Sequence, residues 1–132
     1  MTYVIAYFAT AIVFLAIDAL WLGVIATKFY KAELGSLMAE NVNFVAAAGF
    51  YLVYCVGIVI FAVSPALRSG DWTQALLFGA LFGFFCYATY DMTNLATLRD
   101  WPLRMSLVDM AWGTVLTGVS ATAGYLITRS LT

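Results

Sequence analysis

Histidine is absent from the 132 residues of this chain, and only two cysteines are present. Because histidine is the commonest protein metal ligand and general base, its absence excludes haem ligated by histidine, zinc hydrolase motifs and a Ser-His-Asp triad. Cys55 and Cys86 lie within apolar runs and form no C-x-x-C pair, so we interpret them as small buried side chains. No metal site is predicted with confidence, and the sequence identifies no cofactor.

Charge is also scarce: 10% of the residues are charged, 64% are hydrophobic, and the mean hydropathy is +0.96. Soluble domains carry roughly 25% charged residues. A soluble chain of this size could not bury so much apolar surface, so we predict an integral membrane protein whose main partner is the lipid bilayer. The net charge of −1 and the lack of a long basic tract argue against nucleic-acid binding.

Four apolar stretches are long enough to cross a bilayer, which takes about 20 helical residues. They cover about residues 2–27, 43–64, 73–97 and 104–128, and Pro65, Gly70 and Pro102 lie in or beside the polar segments between them. The first stretch has no basic region before it and is too long for a signal peptide, so we expect it to be retained. The sequence therefore predicts an all-α fold: a single transmembrane domain over residues 1–132, built as an antiparallel up-down four-helix bundle.

The polar connections give an orientation. Tyr30, Leu34, Leu37 and Met38 follow a helical repeat in the first connection, which fits either a short interfacial helix or an ordinary loop. The first and third connections carry four basic residues against two on the other side of the membrane. These four are Lys28, Lys31, Arg99 and Arg104. The positive-inside rule then predicts that these connections are cytoplasmic and that both termini lie outside.

Two stripes of small residues recur at every fourth position of the last two stretches. The stripes are Ala75, Gly79 and Gly83, and Gly113, Thr117 and Ala121. Such stripes let helix backbones approach closely inside a membrane. They fit packing within one chain as well as packing between chains, so a homodimer or a complex with another membrane protein is an open expectation.

Three of the seven acidic residues, Asp18, Asp91 and Asp109, lie within apolar stretches. An Asp at the middle of a spanning helix costs about 2.5–3.5 kcal/mol on insertion scales, so three of them need an explanation. Counted from the nearest basic residue at the helix end, they lie about 15, 12 and 8 Å deep. Because the helix directions alternate, all three depths fall in the same half of the bilayer.

Polar and aromatic residues accompany these aspartates. Trp21, Tyr87, Asn94 and Trp112 lie three or four positions from an aspartate and so share its helix face, while Asn43 begins the second stretch at a similar depth. We predict one polar site near the cytoplasmic leaflet. Its residues are Asp18, Asn43, Tyr87, Asp91, Asn94 and Asp109, framed by Trp21 and Trp112. Arg99 and Arg104 are candidates for the counter-charge, since an Arg side chain can reach along a helix.

Four segments carry a resemblance to a known family. FLAIDALWLGV, FYKAELGSLMAENVN, YATYDMTNLATLRDWP and VDMAWGTVLTGVSATAGY resemble the DUF2177 family of predicted bacterial membrane proteins, and the resemblance covers essentially the whole chain. It implies a four-helix protein of the bacterial cytoplasmic (inner) membrane, which would make both termini periplasmic. The hallmark aspartates of the family fall on Asp18, Asp91 and Asp109. The family is of unknown function, so the resemblance implies no activity.

Three classes of function stay open at this point. The carboxylates could bind or move a small ligand, a lipid, a proton or a cation, since buried acids that titrate are a common coupling device in membranes. They could also act as general acid and base in a membrane-lipid-modifying enzyme or its accessory subunit. In a purely structural or assembly subunit they would only bond helices together. Such bonds average about 0.6 kcal/mol, which poorly offsets the insertion cost.

Overall fold

The computed structural model describes residues 1–39, 41 and 43–132, and almost all of them are helical. The helices are α1 (Thr2–Trp21), α2 (Thr27–Leu34), α3 (Phe44–Ile58), α4 (Ser64–Ser69), α5 (Trp72–Thr97) and α6 (Leu103–Leu131). A π-helical turn over Leu22–Ala26 joins α1 to α2, and another over Val59–Val63 joins α3 to α4. No strand occurs in these ranges, so the all-α prediction is confirmed.

Three helical segments of the described chain are long and apolar enough to cross a membrane: Thr2–Leu37, Phe44–Ser69 and Trp72–Thr97. They correspond to the first three predicted stretches. Helix α6 is 29 residues long but less apolar, and it is not among these three segments. It has many buried positions, including the polar Ser106, Thr117 and Ser120, because it packs against both α1 and α5. The fourth span therefore remains a prediction.

The first helical segment extends further than its sequence indicated. It does not end near residue 27 but continues through α2 and a 3-10 turn to Leu37. Tyr30, Leu34 and Leu37 of the expected interfacial helix or loop are thus helical, but they continue α1 and form no separate element, and Met38 lies just past the helical end. Helix α2 contains strong helix formers such as Lys31 and Glu33. It ends at Gly35, whose φ of 56° is accessible to glycine at little cost.

The second segment passes through Pro65, which the sequence indicated as a stop. Proline lacks the N–H that an α-helix interior requires, and the π turn directly before it changes the hydrogen-bond register. There the Ser64 N–H donates to the Val59 carbonyl, five residues back. The helix ends instead at Gly70, in the left-handed region. Asp71 then caps α5 by accepting from Thr73, whose hydroxyl and N–H hold the pKa of Asp71 below its usual range.

The two small-residue stripes face each other within the chain, between α5 and α6. A Cβ atom added to Gly79 would lie 2.7 Å from the Ala121 Cβ, and one added to Gly83 would lie 2.7 Å from the Thr117 Cβ. These distances are shorter than any ordinary carbon contact, so glycine is what allows the two backbones to approach. Helix α1 packs on α6, and α3 packs mainly on α1 and hardly at all on α5.

Candidate functional site

The carboxylate of Asp18 on α1 is paired with an indole from another helix. Asp18 is 5% exposed, and its Oδ1 accepts a hydrogen bond of 3.3 Å from Trp112 Nε1 on α6. The ring of Trp112 stacks on the ring of Trp21, with centroids 4.4 Å apart and planes 14° from parallel. Trp112 follows Asp109 by three positions on α6, but it does not donate a hydrogen bond to that aspartate. It donates to Asp18 on α1 instead.

Asp109 on α6 likewise accepts a hydrogen bond from another helix. Its Oδ1 accepts a 2.8 Å hydrogen bond from the hydroxyl of Tyr30 on α2. The same hydroxyl accepts a longer bond of 3.4 Å from Trp21 Nε1. In each of the two D-x-x-W motifs, the tryptophan thus connects to the aspartate of the other motif. Trp112 donates to Asp18 directly, whereas Trp21 is linked to Asp109 through the hydroxyl of Tyr30. We call these five residues, Asp18, Trp21, Tyr30, Asp109 and Trp112, the tryptophan–aspartate network.

The π turn over Leu22–Ala26 brings Tyr30 into this network. Twelve residues separate Asp18 from Tyr30, and at about 100° per residue an uninterrupted α-helix would place them about 120° apart around its axis. A π turn accommodates one extra residue, so the effective separation is eleven residues, or about 20° after full turns. In the turn, the Thr27 N–H and hydroxyl both donate to the Leu22 carbonyl, five residues back. Tyr30 can therefore lie on the face of α1 that carries Asp18.

Asp91 on α5 is the most buried of the three aspartates. It is 0% exposed, and neither of its carboxylate oxygens has a hydrogen-bond donor among the residues that the structure describes. It lies on α5, which packs along α6, the helix that carries Asp109.

The remaining predicted residues are distributed unevenly. Asn43 is exposed and caps α3 by accepting from the Ala46 N–H at 3.0 Å, so it lies outside the network. Asn94 is half-buried near the end of α5 and lines neither of the two cavities described below. Neither candidate for the counter-charge forms an ion pair with an aspartate in the described ranges. Arg104 is 80% exposed, and its Nε lies 3.7 Å from Glu33 Oε1, while Arg99 is exposed just after α5.

A cavity of about 690 Å³ lies between α3, α5 and α6, and we call it the aromatic cleft. Its lining residues are Phe50, Tyr51, Tyr54, Cys86, Tyr87, Thr89, Tyr90 and Asp109. Five of these eight are aromatic, and Asp109 is the only charged one. Phe50 and Tyr90 are 56% and 57% exposed, so the cleft is open at the helix surface. Its position follows from the packing, since α3 leans on α1 and leaves its other side free.

Aromatic contacts form the closed end of this cleft. The Tyr54 hydroxyl shares a 2.8 Å hydrogen bond with the Thr117 hydroxyl, and its ring stacks on Phe82 at 5.3 Å. Tyr87 packs against Gly113, where an added Cβ would collide with the tyrosine ring. The predicted site residue Tyr87 thus forms a wall of the cleft. A smaller cavity of about 160 Å³ lies on the other side of Asp109, lined by Tyr30, Leu34, Tyr90, Trp101, Met105 and Asp109.

Two sets of residues were missed when the sequence was considered alone. Tyr30 had no visible signal, because its place depends on the π turn. The cleft had one: Tyr51 and Tyr54 on α3 repeat the spacing of Tyr87 and Tyr90 on α5. Tyrosines three positions apart share a helix face, so two such pairs on different helices favour a common aromatic surface.

The side chains available as ligands limit which ions this site could bind. Within the described ranges, no three side chains of His, Cys, Asp or Glu come together as a metal would require. Asp109 lines the aromatic cleft, Asp91 is fully buried on α5, and Asp18 accepts a hydrogen bond from Trp112. The arrangement therefore provides one carboxylate in the aromatic cleft and two that do not line it.

Comparison with known proteins gives one match. No curated protein matches the chain, and no solved structure matches it. Residues 3–126 match the family described as "Predicted membrane protein (DUF2177)". This range contains all six helices except the last turn or so of α6. Since the match covers nearly the whole chain and three of its helical segments can span a membrane, the chain belongs to the DUF2177 family of predicted membrane proteins.

Proposed function

We propose that this protein binds a lipid in the aromatic cleft, with the acyl chains between α3 and α5 and the polar head group at Asp109. The observation that carries the proposal is the cleft itself, with five aromatic residues and one carboxylate around about 690 Å³. Ligand pockets have volumes of roughly 300–1,000 Å³ and combine apolar walls with a few polar groups. A cleft that opens on the apolar side of a helix bundle faces the acyl chains of the surrounding lipids.

The outer surface of the helices supports a membrane setting for this cleft. Large apolar side chains are exposed around the bundle, for example Phe8, Ile12, Val53, Phe61 and Phe85. Such a surface would aggregate in water and is suited to a bilayer. We further propose that α6 is the fourth span and that the first and third connections are cytoplasmic, as the basic residues indicate. The head-group end of the cleft then lies in the cytoplasmic leaflet of a bacterial inner membrane.

The proposal is tested by blocking the cleft. Thr89 lines it on α5, and a Thr89→Trp substitution would fill part of its volume. Phe85 lies one turn earlier on the same helix, is 61% exposed and does not line the cleft, so Phe85→Trp is the matched control. The probes are phosphatidylethanolamine and phosphatidylglycerol that each carry a photoactivatable diazirine on one acyl chain, in nanodiscs of the two lipids.

We expect labelled peptides from α3 and α5 around Tyr51 and Tyr90 after illumination. Thr89→Trp should lower this labelling several-fold, whereas Phe85→Trp should leave it unchanged. Equal labelling in both variants, or labelling spread evenly over all lipid-facing positions, would show that the cleft holds no lipid. Circular dichroism of both variants establishes that the helices are retained.

A further inference from the structure

We infer that the head group which this cleft recognises carries an ammonium ion, so that its lipid is of the phosphatidylethanolamine class. The inference rests on the proposed lipid binding and adds the charge of the ligand. Its basis is the combination of aromatic walls with a carboxylate that has no basic partner among the residues that the structure describes.

The walls of the cleft suit a cation. Tyrosine and phenylalanine faces attract an ammonium group through the negative potential of the ring, at centroid distances of about 6 Å. Four tyrosines and one phenylalanine surround the cleft, and no Lys or Arg is among its lining residues. An anionic head group would find no cation there, and it would lie against the carboxylate of Asp109.

Within the described part of the chain, neither Asp91 nor Asp109 forms an ion pair with a basic residue. Asp91 is fully buried there without a hydrogen-bond donor, and Asp109 is the one charged residue that lines the cleft. The nearest candidate for neutralisation, Arg104, is held at the surface by Glu33 and by the ring of Phe29, 5.7 Å from its guanidinium carbon.

A monovalent organic cation fits this charge better than a metal ion does. A hard divalent ion such as Ca²⁺ takes six to eight oxygen ligands, and the described residues bring no three acidic or thiol side chains together. An ammonium group donates two or three hydrogen bonds and tolerates aromatic neighbours.

The experiment measures lipid preference by native mass spectrometry. The full chain is released from nanodiscs that contain equal amounts of phosphatidylethanolamine and phosphatidylglycerol, and the retained lipids are counted. We expect phosphatidylethanolamine to be enriched roughly tenfold, which corresponds to the energy of one partly desolvated cation–π and carboxylate site. Asp109→Asn should remove the enrichment while lipid is still retained.

Asp100→Asn is the matched control, because it makes the same change of charge at an exposed position. Asp100 has a φ of 62°, a conformation that Asn also adopts readily. The control should keep the enrichment. If Asp109→Asn does not fold, Tyr90→Leu provides a second variant, since it removes a half-exposed ring from the cleft without touching a carboxylate. Its enrichment should fall several-fold.

Two results would overturn the inference. One is equal retention of the two lipids by the unmodified chain, and the other is a preference that Asp109→Asn and Tyr90→Leu both leave intact. In either case, the lipid-binding proposal would still stand if the diazirine lipids label the cleft and Thr89→Trp blocks that labelling. If the cleft is not labelled in this way, both the lipid-binding proposal and the head-group inference are wrong.

Discussion

Deletion of Val24 tests the role assigned to the π turn over Leu22–Ala26. Val24 is 64% exposed, so its removal opens no cavity in the protein interior. Without the extra residue the turn should close into a regular α-helix that keeps the effective eleven-residue separation, so α2 should retain its rotation relative to α1. Tyr30 should therefore stay within reach of Asp109 and Trp21, and the rest of the bundle should stay in place.

The size of the effect follows from the Tyr30 hydroxyl. It donates to Asp109 at 2.8 Å and accepts from Trp21 at 3.4 Å. Hydrogen bonds to charged groups contribute about 1.5–3 kcal/mol in proteins, whereas measured interhelical bonds in a membrane average about 0.6 and reach about 1.7 kcal/mol. We therefore expect Tyr30→Phe to cost about 1–2 kcal/mol in the full-length chain. In the Val24 deletion, where the contact should be kept, it should cost about the same.

A double-mutant cycle measures this coupling. The free energy of unfolding is followed by tryptophan fluorescence during SDS titration in bicelles, where the Trp21–Trp112 stack provides the signal. Tyr54→Phe serves as the control, because its bond to Thr117 lies far from the turn and its cost should be the same in both backgrounds. If Tyr30→Phe costs close to nothing without Val24, the deletion has rotated α2, the π turn does not accommodate one extra residue, and the reasoning is refuted.

Two further predictions concern packing and topology. Gly83→Ala should destabilise the bundle by about 1–3 kcal/mol through overpacking, since the new Cβ would collide with the Gly113 carbonyl and with Thr117. In Gly118→Ala the new Cβ has its nearest atoms at 3.4 Å, so this variant should stabilise α6 by about 0.5–1 kcal/mol. The same SDS titration distinguishes the two variants, and equal effects would contradict the close approach of α5 and α6. Alkaline phosphatase fused after Thr132 should be active in the periplasm and inactive when fused within residues 99–101, and the reverse pattern would invert the proposed orientation.

The sequence contained enough to predict helices and a group of acids, but not how the acids are bonded. Depth counting compares positions along a helix axis, and it grouped Asp18, Asp91 and Asp109 without giving their bonding partners. Depth counting could not predict to which helix each tryptophan donates its hydrogen bond. Trp112 is three residues from Asp109, yet it donates to Asp18, because contacts between helices depend on their relative rotation and no single-helix pattern specifies that.

Local chemistry also competed with the predicted site. Asn43 was assigned by depth, but an Asn directly before an apolar helix is a favoured N-cap, and its side chain is used in this way. Arg104 was predicted as a counter-charge because its long side chain could extend to the aspartates, but it lies close enough to Glu33 on α2 to pair with that residue instead. That contact depends on the continuation of the first helix beyond residue 27, which its hydropathy did not indicate.

The bonding pattern separates the three aspartates in a way that bears on function. A purely structural role accounts for Asp18 and Asp109, since each accepts a hydrogen bond from a different helix and so joins α1, α2 and α6. It does not account for Asp91, which is fully buried on α5 with no donor in the described chain. Removing a carboxylate from solvent without a partner costs more than any bond in this network returns. A group that destabilises the protein is expected to be retained for its function, so Asp91, together with Asp109 because it lines the open cleft, is where ligand chemistry should be sought first.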